Sequence, residues 1–172
     1  TDLTKKILGL NPHIVIEPNS YQIDKTFTDK LSQDFKEISF SKSYTGEGII
    51  ISEKNAKGVI LKGVNKNEKN TIKFFENYIT QGNLKNFETS KIFIGSELAY
   101  NLNLKEGDTL NLMSSAFIST PLGSLPKQEV FKIAGIFNTG FLEFDQNIIF
   151  LNLRDALSLS LIHISEPTRP LS

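Results

Sequence analysis

The sequence has no cysteine and no tryptophan, a single methionine and two histidines in 172 residues. Without cysteine there can be no disulfide scaffold, no thiol enzyme and no zinc ribbon. An excess of charge is missing too, since Lys plus Arg and Asp plus Glu number 19 each. A balanced chain sets up no field to gather nucleic acid or anionic lipid, which argues against sequence-independent DNA binding. No apolar run approaches the ~18–20 residues that a bilayer crossing needs. The longest, Ile148 to Leu151, suits one buried strand. There is no charged-then-apolar leader pattern, no phosphate-cradling glycine loop and no His/carboxylate metal pattern. The chain opens at Thr1 rather than methionine, as expected of a piece of something larger.

What is present reads as a globular chain. Hydrophobic residues at 39% and charged residues at 22% can support a core, in one domain or two small associated ones. Leu3, Ile7 and Leu10 share helical spacing, and His13 to Glu17 alternates like a strand. Asp24 can cap a helix whose Phe27, Leu31 and Phe35 form one stripe. Strand-like runs follow around Ile38–Tyr44, Gly48–Ser52 and Gly58–Val64, separated by glycine- and asparagine-rich turns. A second helix carries Ile72, Phe75 and Ile79, with Gly82 as its expected stop. Lys91–Ile94 predicts a strand, Ser96 a cap for a short helix with Leu98, Ala99 and Leu102, and Gly107-Asp108 a turn into Thr109–Met113. Val130–Phe137 and Asn147–Leu151 read as further strands, and Asn152 as the start of a helical turn. The sum is an α+β chain, βαβ-like in its first half and β-rich in its second.

Leu159 to Arg169, LSLIHISEPTR, resembles the conceptual translation of a sequencing-library adaptor. Residues 159–172 are therefore expected to be a non-native tail and are excluded from the fold, together with His163 as a catalytic candidate.

Between Met113 and Val130 lies SSAFISTPLGSLPKQE, Ser114 to Glu129. Unstructured connections beyond ~12–15 residues are uncommon in compact domains and are usually functional or disordered. Phe117, Ile118, Leu122 and Leu125 are too apolar for disorder, while Pro121 and Pro126 around Gly123 suit a stiff arm that reverses at its tip. Two readings stand open. The arm folds back so that the four apolar residues cap its own core, or it protrudes to insert into a partner.

The run Gly95–Leu112, GSELAYNLNLKEGDTLNL, resembles the LolC/LolE family of lipoprotein-releasing ABC transporter permeases. So do Ile7-Leu8-Gly9-Leu10 with Pro12, Lys62-Gly63-Val64-Asn65, and Phe131, Gly135, Phe137, Glu143, Asp145, Asn152, Asp155 and Ala156 in order. The likeness covers nearly all of Thr1 to Ser158. It implies a MacB-like extracytoplasmic domain on the periplasmic face of the inner membrane. Residues 1–87 would form a porter-like α/β part, incomplete because its second portion lies beyond Ser158. Residues 88–158 would form a small β-rich, sabre-like part bearing a protruding β-hairpin hook at 114–129. The hook recruits the periplasmic lipoprotein chaperone LolA, and the resemblance places its partner-binding residues at Phe117, Ile118, Thr120, Pro121, Leu122, Gly123, Ser124, Leu125, Pro126, Lys127 and Gln128. The Thr120-Pro121-Leu122-Gly123 pattern is similar to the LolC branch or to a homodimeric form. Ser124 and Glu129 depart from it, since arginine often stands there, leaving Lys127 as the cation nearby. The family further implies a membrane helix before Thr1 and three after the domain, a second permease subunit, ATPase subunits that hydrolyse ATP, and a lipoprotein substrate. It implies no cofactor and no catalysis on this chain.

Rival readings are few. His13 is the one histidine outside the tail, beside Pro12 in a strand-like run, and suits a structural role better than a Ser-His-Asp triad. Glu143 and Asp145 could face one way if extended, though such pairs are usually solvated. Asp108 reads as a turn former. The alternative function is a MacB- or FtsX-like mechanotransmission domain of an efflux or cell-wall-regulating transporter, which would lack the Thr120–Pro126 pattern. A binding module whose arm closes over a small ligand is the third.

Overall fold

The computed structural model describes residues 25–34 and 43–160. Its elements are α1 (Lys25–Asp34), β1 (Tyr44–Ile51), β2 (Ala56–Val64), α2 (Lys69–Tyr78), β3 (Ile79–Gly82), a 3-10 turn (Leu84–Asn86), β4 (Lys91–Gly95), α3 (Ser96–Asn101), β5 (Thr109–Thr120), β6 (Gly123–Phe137), the single turn α4 (Leu142–Asp145), β7 (Ile148–Asn152) and α5 (Leu153–Ser160). Helix and strand are mixed, as the α+β expectation has it. The strands share one sheet, in the order β3-β6-β4-β7-β2-β1-β5. Because β5 pairs with β6 as well as with β1, six strands close into a ring, with β3 added beside the end of β6. Ring closure satisfies backbone groups that an open sheet would leave at its edges.

The boundary expected at residue 87 runs through this sheet. Strands before it, β1, β2 and β3, pair with β5, β7 and β6 after it. Among the described residues, strand pairing therefore crosses residue 87. The physical reason is sequence-distant pairing, which composition and local periodicity do not encode.

Alternation along each strand sorts the apolar residues into two clusters. Ile50, Val59, Leu61, Ile92, Ile94, Leu110, Leu112, Phe131, Ile133, Ile149 and Leu151 fill the first, joined by Leu98 and Ala99 of α3 and by Ala156 and Leu159 of α5. Phe74 and Phe75 of α2 pack with Phe87, Phe93, Phe137, Phe144 and Phe150 in the second. Phe150 lies among them, with ring centroids 5.1 Å from Phe74, 5.3 Å from Phe75 and 5.2 Å from Phe137. Edge-to-face and tilted contacts of this kind add to simple burial. On the outward face of β1 and β2, Ile49 and Ile60 remain more than a third exposed, at 39% and 38%.

Several local expectations shift. The second helix stops at Tyr78, because Ile79 pairs with Phe137 and the chain enters β3, so Gly82 ends a strand at φ +88°. Ser96 is the first helical residue rather than the cap, a place taken by Gly95. Asn152 caps α5 as expected, its side-chain oxygen accepting from the Arg154 N–H at 3.0 Å. α5 runs through Ser160 and Leu159 is buried, so the tail boundary drawn at 159 falls inside a packed helix. The expected helix and strand before Asp24, including His13, and His163 in the tail lie outside the described residues. Among the described residues, no helix is long and apolar enough to cross a membrane.

Candidate functional site

The segment expected as a long connection is a continuous hairpin. β5 runs on to Thr120 and β6 begins at Gly123, leaving Pro121 and Leu122 as a two-residue turn. Pairing of β5 with β1 ends at Gly48↔Ser114, while the β5–β6 ladder continues to Thr120↔Gly123. At about 3.3 Å per residue the ribbon extends roughly 20 Å past the ring. Its base carries a bulge: Met113 faces Gln128, yet the next pair is Phe117↔Pro126, so β5 holds two extra residues opposite Lys127. Bulges bend a ribbon and raise its twist, which re-aims the hairpin where it leaves β1.

The tip is held by local bonds. Thr120 Oγ1 donates to the Gly123 carbonyl at 2.6 Å and accepts from the Leu122 N–H at 3.3 Å. Gly123 sits at φ +123°, with nothing near the position a Cβ would take. Backbone conformation, not space, calls for glycine there.

Directly opposed residues share a face. Phe117 and Pro126 lie on one side with Ser119 and Ser124, and Ile118 and Leu125 on the other with Thr120 and Gly123. Leu122 projects at the end, 97% exposed, while Phe117 and Leu125 are each 55% exposed. The folded-back reading is thus excluded: these side chains do not cap their own core. Pro121, Ser124 and Gln128 are exposed and Lys127 is partly covered. The ammonium of Lys127 turns back to the body, donating to the Ser158 carbonyl at 2.9 Å and Ser158 Oγ at 3.3 Å, with Glu129 Oε1 at 3.3 Å. The cation expected for a partner is engaged at home.

The remaining polar candidates are structural. Asp145 is buried on α4 and accepts from Thr139 N–H at 2.9 Å, Thr139 Oγ1 at 2.7 Å and Gly140 N–H at 3.1 Å, while Glu143 is exposed. The two lie on a helical turn, not an extended chain, so they do not face one way. Asp108 Oδ2 accepts from the Lys105 N–H at 2.9 Å, as a turn former would. Asp155, which sequence reasoning gave no role, is buried and accepts from the Ser90 N–H at 2.8 Å, where Ser90 has φ +62°. Burial pushes its carboxyl above the usual value, against the opposing effect of the Ser90 bond. An open recess bordered by Glu88, Lys91, Glu106 and Lys132 contains no residue of the hairpin tip.

No family model matches the chain. It is similar to the lipoprotein-releasing system transmembrane protein LolC of Buchnera aphidicola subsp. Schizaphis graminum, 30% identical over 161 residues that make up 88% of this chain and 38% of the relative. It is similar to LolC of Xylella fastidiosa strain Temecula1, 18% identical over 157 residues, and to LolC of Neisseria meningitidis serogroup B, 22% identical over 163 residues, each covering 90% of this chain and 38% of the relative. The chain thus spans less than two thirds of the curated relatives it matches. Among solved structures, the extracellular domain of the noncanonic ABC-type transporter YknZ from Gram-positive bacteria aligns with a TM-score of 0.48 and 10% identity, covering 76% of this chain and 64% of that one. With LolC proteins of three bacteria matching 88 to 90% of its length, the chain belongs to the LolC family.

Proposed function

We propose that this chain is the extracytoplasmic docking domain of a lipoprotein-releasing ABC transporter permease, on the periplasmic face of the inner membrane. Its hairpin receives the periplasmic lipoprotein chaperone. One observation carries this reading: a stiff, closed-turn ribbon holds Phe117, Leu122 and Leu125 in solvent, two on its faces and one at its tip. Apolar side chains gathered on one exposed protrusion are the kind of surface that marks a binding site. Burying each is worth ~1.5–3 kcal/mol, which after the cost of association supports a transient complex suited to a handover.

In this reading the chain does no chemistry. ATP hydrolysis belongs to separate ATPase subunits, a second permease subunit stands alongside, and the ring passes their motion to the hairpin. The alternative of a MacB- or FtsX-like mechanotransmission domain would share the ring but have no use for the apolar tip. Pull-down of a LolA-type chaperone by wild type and by a Leu122→Asp, Leu125→Asp double variant discriminates the two. The variant should lose capture while keeping the wild-type circular dichroism spectrum. Equal capture by both would remove the docking role.

A further inference from the structure

We infer that Lys127 is a strut that fixes the hairpin's angle against α5, and not a contact for the docking partner. Three observations converge on it. Lys127 stands opposite the bulge between Met113 and Phe117, where the ribbon departs from β1 and is free to bend. Its ammonium has three donors, and three acceptors lie within reach: the Ser158 carbonyl at 2.9 Å, Ser158 Oγ at 3.3 Å and Glu129 Oε1 at 3.3 Å. The strand is also tied to α5 lower down, because Lys132 N–H donates to the Ser90 carbonyl at 2.9 Å and Ser90 N–H donates to Asp155 of α5 at 2.8 Å. β6 is therefore held to one helix at two levels, below the bend through Ser90 and at the bend through Lys127.

The consequence is mechanical. The Ser158 carbonyl belongs to α5 itself, so the bond ties the ribbon directly to that helix. With the strut in place the ribbon and α5 move as one body. Without it the bulge becomes a hinge. This bears on the same hairpin as the docking reading, but its test needs no chaperone, so either can fail while the other stands.

The absence of cysteine lets two spin labels be placed without background, at Leu122→Cys on the tip and Arg154→Cys on the exposed start of α5. Electron–electron double resonance should give one narrow distance peak for this pair. Adding Lys127→Met, which keeps the aliphatic stem and removes the ammonium, should abolish the narrow peak and give a broad distribution, with the melting temperature unchanged. Lys127→Arg should restore the narrow peak, since a guanidinium still donates to the Ser158 carbonyl. An unchanged peak in Lys127→Met overturns the strut, and so does a broad distribution in Lys127→Arg, which would show that a donor at this position does not hold the hairpin.

Discussion

Two buried carboxylates show how individual residues secure the fold. Among the described residues, neither Asp145 nor Asp155 has a salt bridge to offset its burial, and both are held by backbone N–H donors, with Thr139 Oγ1 as well for Asp145. Hydrogen bonds to a carboxylate are stronger than neutral ones and here fix turns that local propensity would leave loose. For Asp155 desolvation outweighs its Ser90 bond, so the folded state favours the protonated acid and its pKa lies above the ordinary 3.8. The sign follows directly: its stabilising contribution is complete below that ordinary value and is lost as pH rises through the raised one. Asp155→Asn keeps an acceptor for Ser90 without the charge. The urea midpoint of the variant should therefore gain on that of wild type as pH climbs from acid to neutral, and a difference independent of pH would contradict this.

Between elements, glycine marks the closest approaches. A Cβ on Gly95, at the end of β4, would collide with the Asp145 carbonyl of α4, and one on Gly63 would meet Ala156 of α5. Gly135 likewise lies against Gln81 and Phe93. Gly95→Ala must push α4 off the sheet and should destabilise the chain by about 1–3 kcal/mol, read as a lower melting temperature with the same secondary structure. These residues, Gly63, Gly95, Gly135, Asp145, Asp155 and Ala156, are largely those on which the family resemblance rests. The order of motifs in the sequence was thus a record of element contacts.

The same scale shows what the sequence could and could not reveal. α2 was legible from its helical apolar spacing, and β2, β4 and β7 from short β-branched or aromatic runs flanked by turn residues. β3 was not, because a four-residue strand beside a helix has no period of its own. The distal parts of β5 and β6 were hidden by their own chemistry. Pro121, Pro126 and four serines suppress a strand reading, yet the ribbon forms because Thr120 and Gly123 close its turn and both outer edges can tolerate proline. The eleven residues assigned to the arm lie on the distal hairpin and its turn, where the Lys127 ammonium reaches back to Ser158. Closure of the ring was invisible, since it depends on β5 pairing with β1 across some sixty residues of chain.

For the molecule as a whole, direction matters. β6 runs from the tip at Gly123 to Phe137 and then leads into Phe141 and Leu142, so exposed apolar side chains lie beyond both ends of one long strand. In the proposed docking reading, the ring passes displacement to the hairpin and the tip is where a partner would feel it. The central claim is that the partner grips the tip. Site-specific photo-crosslinking decides it, with a photoreactive residue replacing Leu122 in one chain and Leu142 in another, each mixed with a LolA-type chaperone. Crosslinking from position 122 and none from 142 is the predicted result; crosslinking from 142 with none from 122 would contradict the account.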